Sequence, residues 1–199
     1  MAKQTDNEVK EAIGNWIKKA TDGLHVCCTG KIEAFDSSSN RASITPCGKF
    51  KIEDGRELNF PTIYNVPVYF PCGAGGSAGI TFPIRPGDLC IVVFADSQLD
   101  DFLGGRDCED PRKHSMNDAI AIPGLYSNAV PTVSGNPNDL CLVNAGSKVV
   151  LNGTKMSINL SDGTNAVFGG GDLVVNGISL TKHVHGGVIS GGSTTTEPQ

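Results

Sequence analysis

Hydrophobic positions along the chain follow three successive regimes. In the first, Val9, Ile13, Trp16, Ile17 and Ala20 recur at helical spacing and form one apolar stripe. Thr5 followed by Glu8 has the form of a capping box, Asp22-Gly23 that of a stop, and Lys18 and Lys19 lie at the cation-favouring end of a helix dipole. A short N-terminal helix is expected, its stripe turned either to its own domain or to a docking or oligomer contact.

From about 24 to 130 the period shortens to that of β-strands. HVCCTGKIEAFD (25–36) and RASITPCGKFKI (41–52) are strand-like and separated by the turn-rich SSSN. NVPVYFPCG (65–73) is interrupted by prolines, which belong at an edge or a strand entry. RPGDLCIVVFAD (85–96) makes a turn at Pro86-Gly87 and then runs apolar from Leu89 to Phe94, as a buried strand does. DAIAIPGLY (118–126) is a last alternating piece. Short strands with regular turn signals predict a small barrel.

In the third regime, from about 138, the strand-like pieces CLVNA, KVVLN, KMSINL, NAVF, DLVVN and ISL follow one another with small turns such as Asn152-Gly153 and Asp162-Gly163. Seven of the 64 residues from 136 to 199 are charged and eleven are glycine. Such a ribbon has too few large side chains to close a core alone, so it must stack, on successive coils or on sister chains. A β-solenoid or intertwined β-helix is expected.

Composition narrows the function classes. Sixteen Lys and Arg face 21 Asp and Glu, a net charge of −5 without a basic block, so nucleic acid is not an expected partner. No apolar stretch reaches the ~18 residues of a membrane-spanning helix, and the start has no signal-peptide core; assembly in a cytoplasm is expected. The seven cysteines are odd in number and lack a CxxC pair, which argues for buried reduced thiols rather than a disulfide framework or zinc site.

The candidate chemistry is sparse. GAGGSA (73–78) has the spacing of a dinucleotide-binding loop, but the proline-rich GITFPIRPG that follows cannot supply the required helix, so a glycine loop is expected. The acidic run LDDFLGGRDCED (99–110) raises paired-carboxylate catalysis. Asp100 and Asp101 are adjacent and would diverge in regular structure, so a solvated loop is expected. His25 and His114 have no partner at metal-ligand spacing beyond a weak Cys108–His114 pair. That leaves His183 and His185 in TKHVHGG: on a strand both would point one way. They are either two exposed imidazoles or one third of a site completed by three chains, where 3 × 2 imidazoles would meet.

VPVYFPCG, IRPGDLCIVVFADSQLDDFLGG and HSMNDAIAIPGLYS together resemble the N-terminal oligomer-binding (OB) domain of short central spike proteins of contractile phage tails. KHVHGGVISGGSTTTEP resembles their C-terminal apex. The resemblance implies a mainly β homotrimer organised as an N-terminal helix (1–23), an OB-fold collar (24–130), a triple-stranded β-helix shaft (131–182) and a metal-binding apex (183–199). It implies that His183 and His185 of three chains bind one ion, iron in the family, octahedrally. It also implies residence in the tail baseplate of a virion, docking on the tail tube or a hub protein, and piercing of the host outer membrane on contraction. Larger spikes carry a hydrolase domain between collar and shaft; residues 128–140 leave no room for one, so no enzymatic activity is expected. Two alternatives are a receptor-binding fibre tip, disfavoured because no Phe, Tyr or Trp follows Phe168, and a trimeric β-helix acyltransferase using His183 or His185 as base, disfavoured because hexapeptide repeats are absent.

Overall fold

The computed structural model describes residues 2–22, 24–52, 55–128, 136–187 and 191–192, with backbone alone at 2–6 and 22. The chain divides into two compact units, Met1–Val130 and Pro131–Gln199. It is mainly β with one N-terminal helix of more than a single turn or two, as expected.

Helix α1 spans Ala2–Asp22. Its stripe is bare: Val9, Ile13, Trp16 and Ile17 are all exposed, Trp16 by 79%. Packing of the stripe on its own domain is therefore corrected; among the described residues no apolar surface of the first unit covers it. The Thr5 side chain of the expected capping box, and Gly23, lie outside the described residues.

The rest of the first unit is built on β1 (Cys27–Asp36), β2 (Arg41–Pro46), β3 (Lys49–Lys51), β4 (Glu57–Asn59), β5 (Ile63–Pro67), β6 (Cys72–Gly73), β7 (Ala78–Gly79), β8 (Leu89–Phe94) and β9 (Ala119–Pro123), with a short helix α2 (Leu99–Leu103) between the last two. The main sheet is antiparallel in the order β5-β2-β1-β8-β9. Register shifts at Ile32/Ala34 and Ala42/Ile44 bend it, as bulges do. Val68, just past β5, bridges Ala121 in parallel, and Tyr69 N donates to Ala121 O at 2.8 Å. The two edges are thereby drawn together and the sheet curls into a half-barrel.

Alternation decides which residues fill it. Along β2 and β8 every second residue is buried, and Ile32, Ile44, Val66, Cys90, Val92 and Ala121 are almost wholly enclosed. Each larger aliphatic among them contributes about 1.5–3 kcal/mol. The curl brings β1 so close to its neighbours that only glycine fits at Gly30, where a Cβ would stand 2.8 Å from Ile44 Cγ2 and 3.1 Å from Val92 Cγ2. All seven cysteines are free thiols, but only Cys90 is buried and Cys27, Cys47, Cys72 and Cys108 are exposed, which corrects the expectation of buried thiols; burial pushes the Cys90 thiol up to about 11.

The second unit is a six-stranded antiparallel meander: β10 (Leu140–Asn144), β11 (Ser147–Asn152), β12 (Lys155–Asn159), β13 (Asn165–Gly169), β14 (Asp172–Val175) and β15 (Ile178–Ser179), each paired with its chain neighbours. Three of its turns are two-residue links with both φ positive, Ala145-Gly146, Gly170-Gly171 and Asn176-Gly177, the backbone that matches strand twist. Within one chain the ribbon is thus a meander and not a stack of coils.

Reading across the strands gives the two faces. One carries the rows Leu140, Leu151, Met156, Phe168, Leu173 and Leu142, Val149, Ile158, Ala166, Val175, Ile178, every one apolar. The other carries Cys141, Val150, Ser157, Val167, Val174, Ser179 and Val143, Lys148, Asn159, Asn165. None of the residues described in this unit is buried, so the apolar face has no core of its own to enter.

Candidate metal-binding apex

The end of the meander is shaped by one carboxylate. Asp172, at the start of β14, accepts from Ser179 Oγ at 2.5 Å through Oδ2 and from Thr181 N at 3.2 Å through Oδ1. Ser179 Oγ in turn accepts from Lys182 N at 2.8 Å. The Ser179 hydroxyl, foremost, holds the Asp172 carboxyl below the usual carboxylate range. With Leu180 N donating to Leu173 O at 2.8 Å, the chain leaves the sheet after Ser179 and turns.

This corrects the expectation that His183 and His185 share a strand: residues 181–187 form turns and irregular backbone. Side-chain acceptors at Asp172 and Ser179 take up the backbone N–H groups that strand pairing would need. The two imidazoles meet all the same, with ring centroids 5.0 Å apart and planes at 81°. Both are exposed, Val184 between them is 90% exposed, and Gly187 has φ +78°.

The donor set can be tested against a metal ion. His183 Nδ1 lies 2.8 Å from Ser179 O and 3.1 Å from Leu180 O. Carbonyl oxygens only accept, so Nδ1 carries the proton and Nε2 keeps the lone pair a metal needs. A ligating histidine is oriented in the same way, by an acceptor at its second nitrogen. Among the described residues no three His, Cys, Asp or Glu side chains gather at one point. One chain therefore offers two imidazoles and is incomplete as a metal site; two neighbouring rings, one with its tautomer set, fit a site shared between chains. Residues 188–190 and 193–199 of the expected apex lie outside the described residues.

The other sequence candidates are accounted for elsewhere. His25 packs on Phe94 and Phe60, centroids 5.7 and 6.0 Å away. His114 Nε2 faces Asp96 Oδ1 at 3.3 Å, while the Cys108 thiol donates to Gln98 O at 3.1 Å, so that spacing makes no shared site. GAGGSA forms a 3-10 turn between β6 and β7 with no helix after it. The acidic run is in part helical, contrary to the solvated loop expected: α2 opens it, because Leu99 N donates to Asp118 Oδ1 at 2.8 Å. Asp101 pairs with Arg106 at 2.6 Å and Asp100 lies 3.8 Å from Arg41, so the adjacent carboxylates diverge. Sequence reasoning passed over Asp118, a buried carboxylate bound by Arg112 six residues away, and over Asp172.

Comparison with known families gives two matches. Residues 28–124 match the phage protein Gp138 N-terminal domain, and residues 177–199 match the GpV apex motif. Both are structural, non-enzymatic families of phage baseplate and spike proteins, and the apex motif is the metal-binding tip motif of spikes. No curated protein matches the chain. An acyltransferase is excluded by these families, and the antiparallel meander has none of the stacked coils such an enzyme needs.

Proposed function

Since this chain is a central spike protein of the contractile-tailed phages and a component of the virion baseplate, we propose that three copies assemble into one spike that is driven through the host outer membrane when the tail contracts. The observation that carries the trimer is the uncovered apolar face of the meander. Eleven side chains in two rows, all apolar, need a partner surface, and two further copies of the same face supply one that matches row for row.

In this reading residues 24–130 form the collar, residues 131–182 the shaft and residues 183–199 the apex. His183 and His185 of each chain hold one ion per trimer, six imidazoles in all, with iron the ion the resemblance implies. Bound there, the ion supplies a cross-link between three chain ends and no reactive chemistry. The chain's own part is to fix Nδ1 of His183 and present Nε2.

Five strand intervals at about 4.7 Å give a shaft of about 24 Å, comparable with the ~30 Å hydrocarbon layer of a bilayer. Penetration is mechanical and needs no lipid-seeking surface. Tail tube or hub protein holds the collar, and α1, with its bare stripe, is a candidate contact on that side.

Native mass spectrometry with elemental analysis tests the reading: a species of about 62 kDa, three chains of 20.8 kDa, carrying one metal ion. A folded monomer, or a trimer with well under one ion, overturns the corresponding half.

A further inference from the structure

We propose that Asp172 is the positioning residue of the apex: through Ser179 it sets the turn that makes His183 a preformed ligand, while His185 is left to adjust. The proposal rests on the reading of the apex as a shared metal site.

Three observations on one stretch of chain carry it. Asp172 is one of only seven charged residues between 136 and 199, and both of its oxygens are used, on Ser179 Oγ and Thr181 N, seven and nine residues further on. The Ser179 hydroxyl passes the restraint on by accepting from Lys182 N at 2.8 Å. The residues so held present the Ser179 and Leu180 carbonyls to His183 Nδ1, and the His183 backbone N also donates to Ser179 O at 3.2 Å. His183 is thus tied at ring and backbone to a turn that is itself tied to the sheet. For His185, among the described residues, the contact recorded is the edge-to-face approach to the His183 ring at 5.0 Å. The two histidines of the motif are therefore unequal. In a trimer the three His183 rings form the ordered half of the donor set, and the three His185 rings complete it.

A carboxylate that acts through a serine carbonyl belongs to the outer shell of a metal site, where loss of a partner weakens binding by about 10- to 100-fold. The test uses the full-length protein, purified as the wild type and as Asp172→Ala, Asp172→Asn, Ser179→Ala and Ser179→Thr. Each is loaded with iron(II) and challenged with a chelator, and nitrogen-15 spectra of the metal-free imidazoles are recorded; four histidines per chain keep these assignable. Asp172→Ala and Ser179→Ala should lose iron about 10- to 100-fold more readily, remain trimeric, and lose the Nδ1-protonated signature of His183. Ser179→Thr, which keeps the hydroxyl, should retain iron and signature, and Asp172→Asn, which keeps an acceptor, should fall between.

If the wild type holds iron and the alanine variants hold it equally well, the positioning role is wrong while the metal site stands. If both Asp172 variants lose the trimer together with the iron, Asp172 is a folding residue and the proposal fails. A wild type that binds no iron removes the shared metal site, and this proposal with it.

Discussion

Arg112 grips the buried carboxylate of Asp118 through two parallel hydrogen bonds, Nε to Oδ2 at 2.7 Å and Nη2 to Oδ1 at 2.9 Å. The same carboxylate receives Leu99 N and so anchors the start of α2 on the half-barrel. Arg112 holds the Asp118 carboxyl below the usual range, against the opposing effect of burial.

The first prediction concerns acid. A carboxyl whose folded pKa is depressed binds fewer protons folded than unfolded, so its stabilisation is present above about pH 4 and is lost as pH falls through the lower folded value. Asp118→Ala should destabilise the first unit by about 3 kcal/mol at neutral pH. It should also flatten the loss of stability below pH 4, measured by urea unfolding across pH. An unchanged acid limb in the variant would remove Asp118 as its source.

Gly30→Ala tests the curl of the half-barrel. The added methyl would stand 2.8 Å from Ile44 Cγ2 and 3.1 Å from Val92 Cγ2, so these side chains or β1 must shift. A loss of about 1–3 kcal/mol is expected, read as a lower melting temperature, with the second unit's contribution unchanged.

The two faces of the meander should respond oppositely to charge. Ile158→Asp places a carboxylate in the apolar rows and should dissociate or misassemble the proposed trimer in light scattering. Ser157→Asp, one residue away on the other face, should leave the mass at three chains. Equal tolerance at both positions would contradict the facing assigned to the sheet.

His183→Ala with His185→Ala should abolish bound metal in elemental analysis and loosen the chain beyond about residue 180 in hydrogen exchange, leaving the half-barrel protected.

How much of this was legible in the chain varies with how local the cause is. The strand from Leu89 to Phe94 and the six strands of the meander follow from runs and turns within a few residues, and they lie where the pattern puts them. Helix α2 does not follow from the local pattern, because what stabilises its start, Asp118, comes 19 residues later. His183 and His185 are neighbours, though not for the reason the pattern suggests. Period-2 alternation placed them on a strand, whereas Asp172, eleven residues earlier, ends that strand by capturing Ser179 and Thr181. No periodicity encodes a side chain that competes with backbone pairing at such a distance.

In the meander every strand pairs only with the strands before and after it in the chain. Its length is therefore a modular quantity. Inserting or deleting one hairpin changes the stack by two strand spacings, about 9.5 Å, and returns the chain running in the same direction with its apolar face on the same side. The half-barrel's core takes no part in those pairings, and the Asp172 bracket enters them only at Asp172 and Ser179, in the last two strands. A meander of this kind can be lengthened or shortened without redesigning the half-barrel.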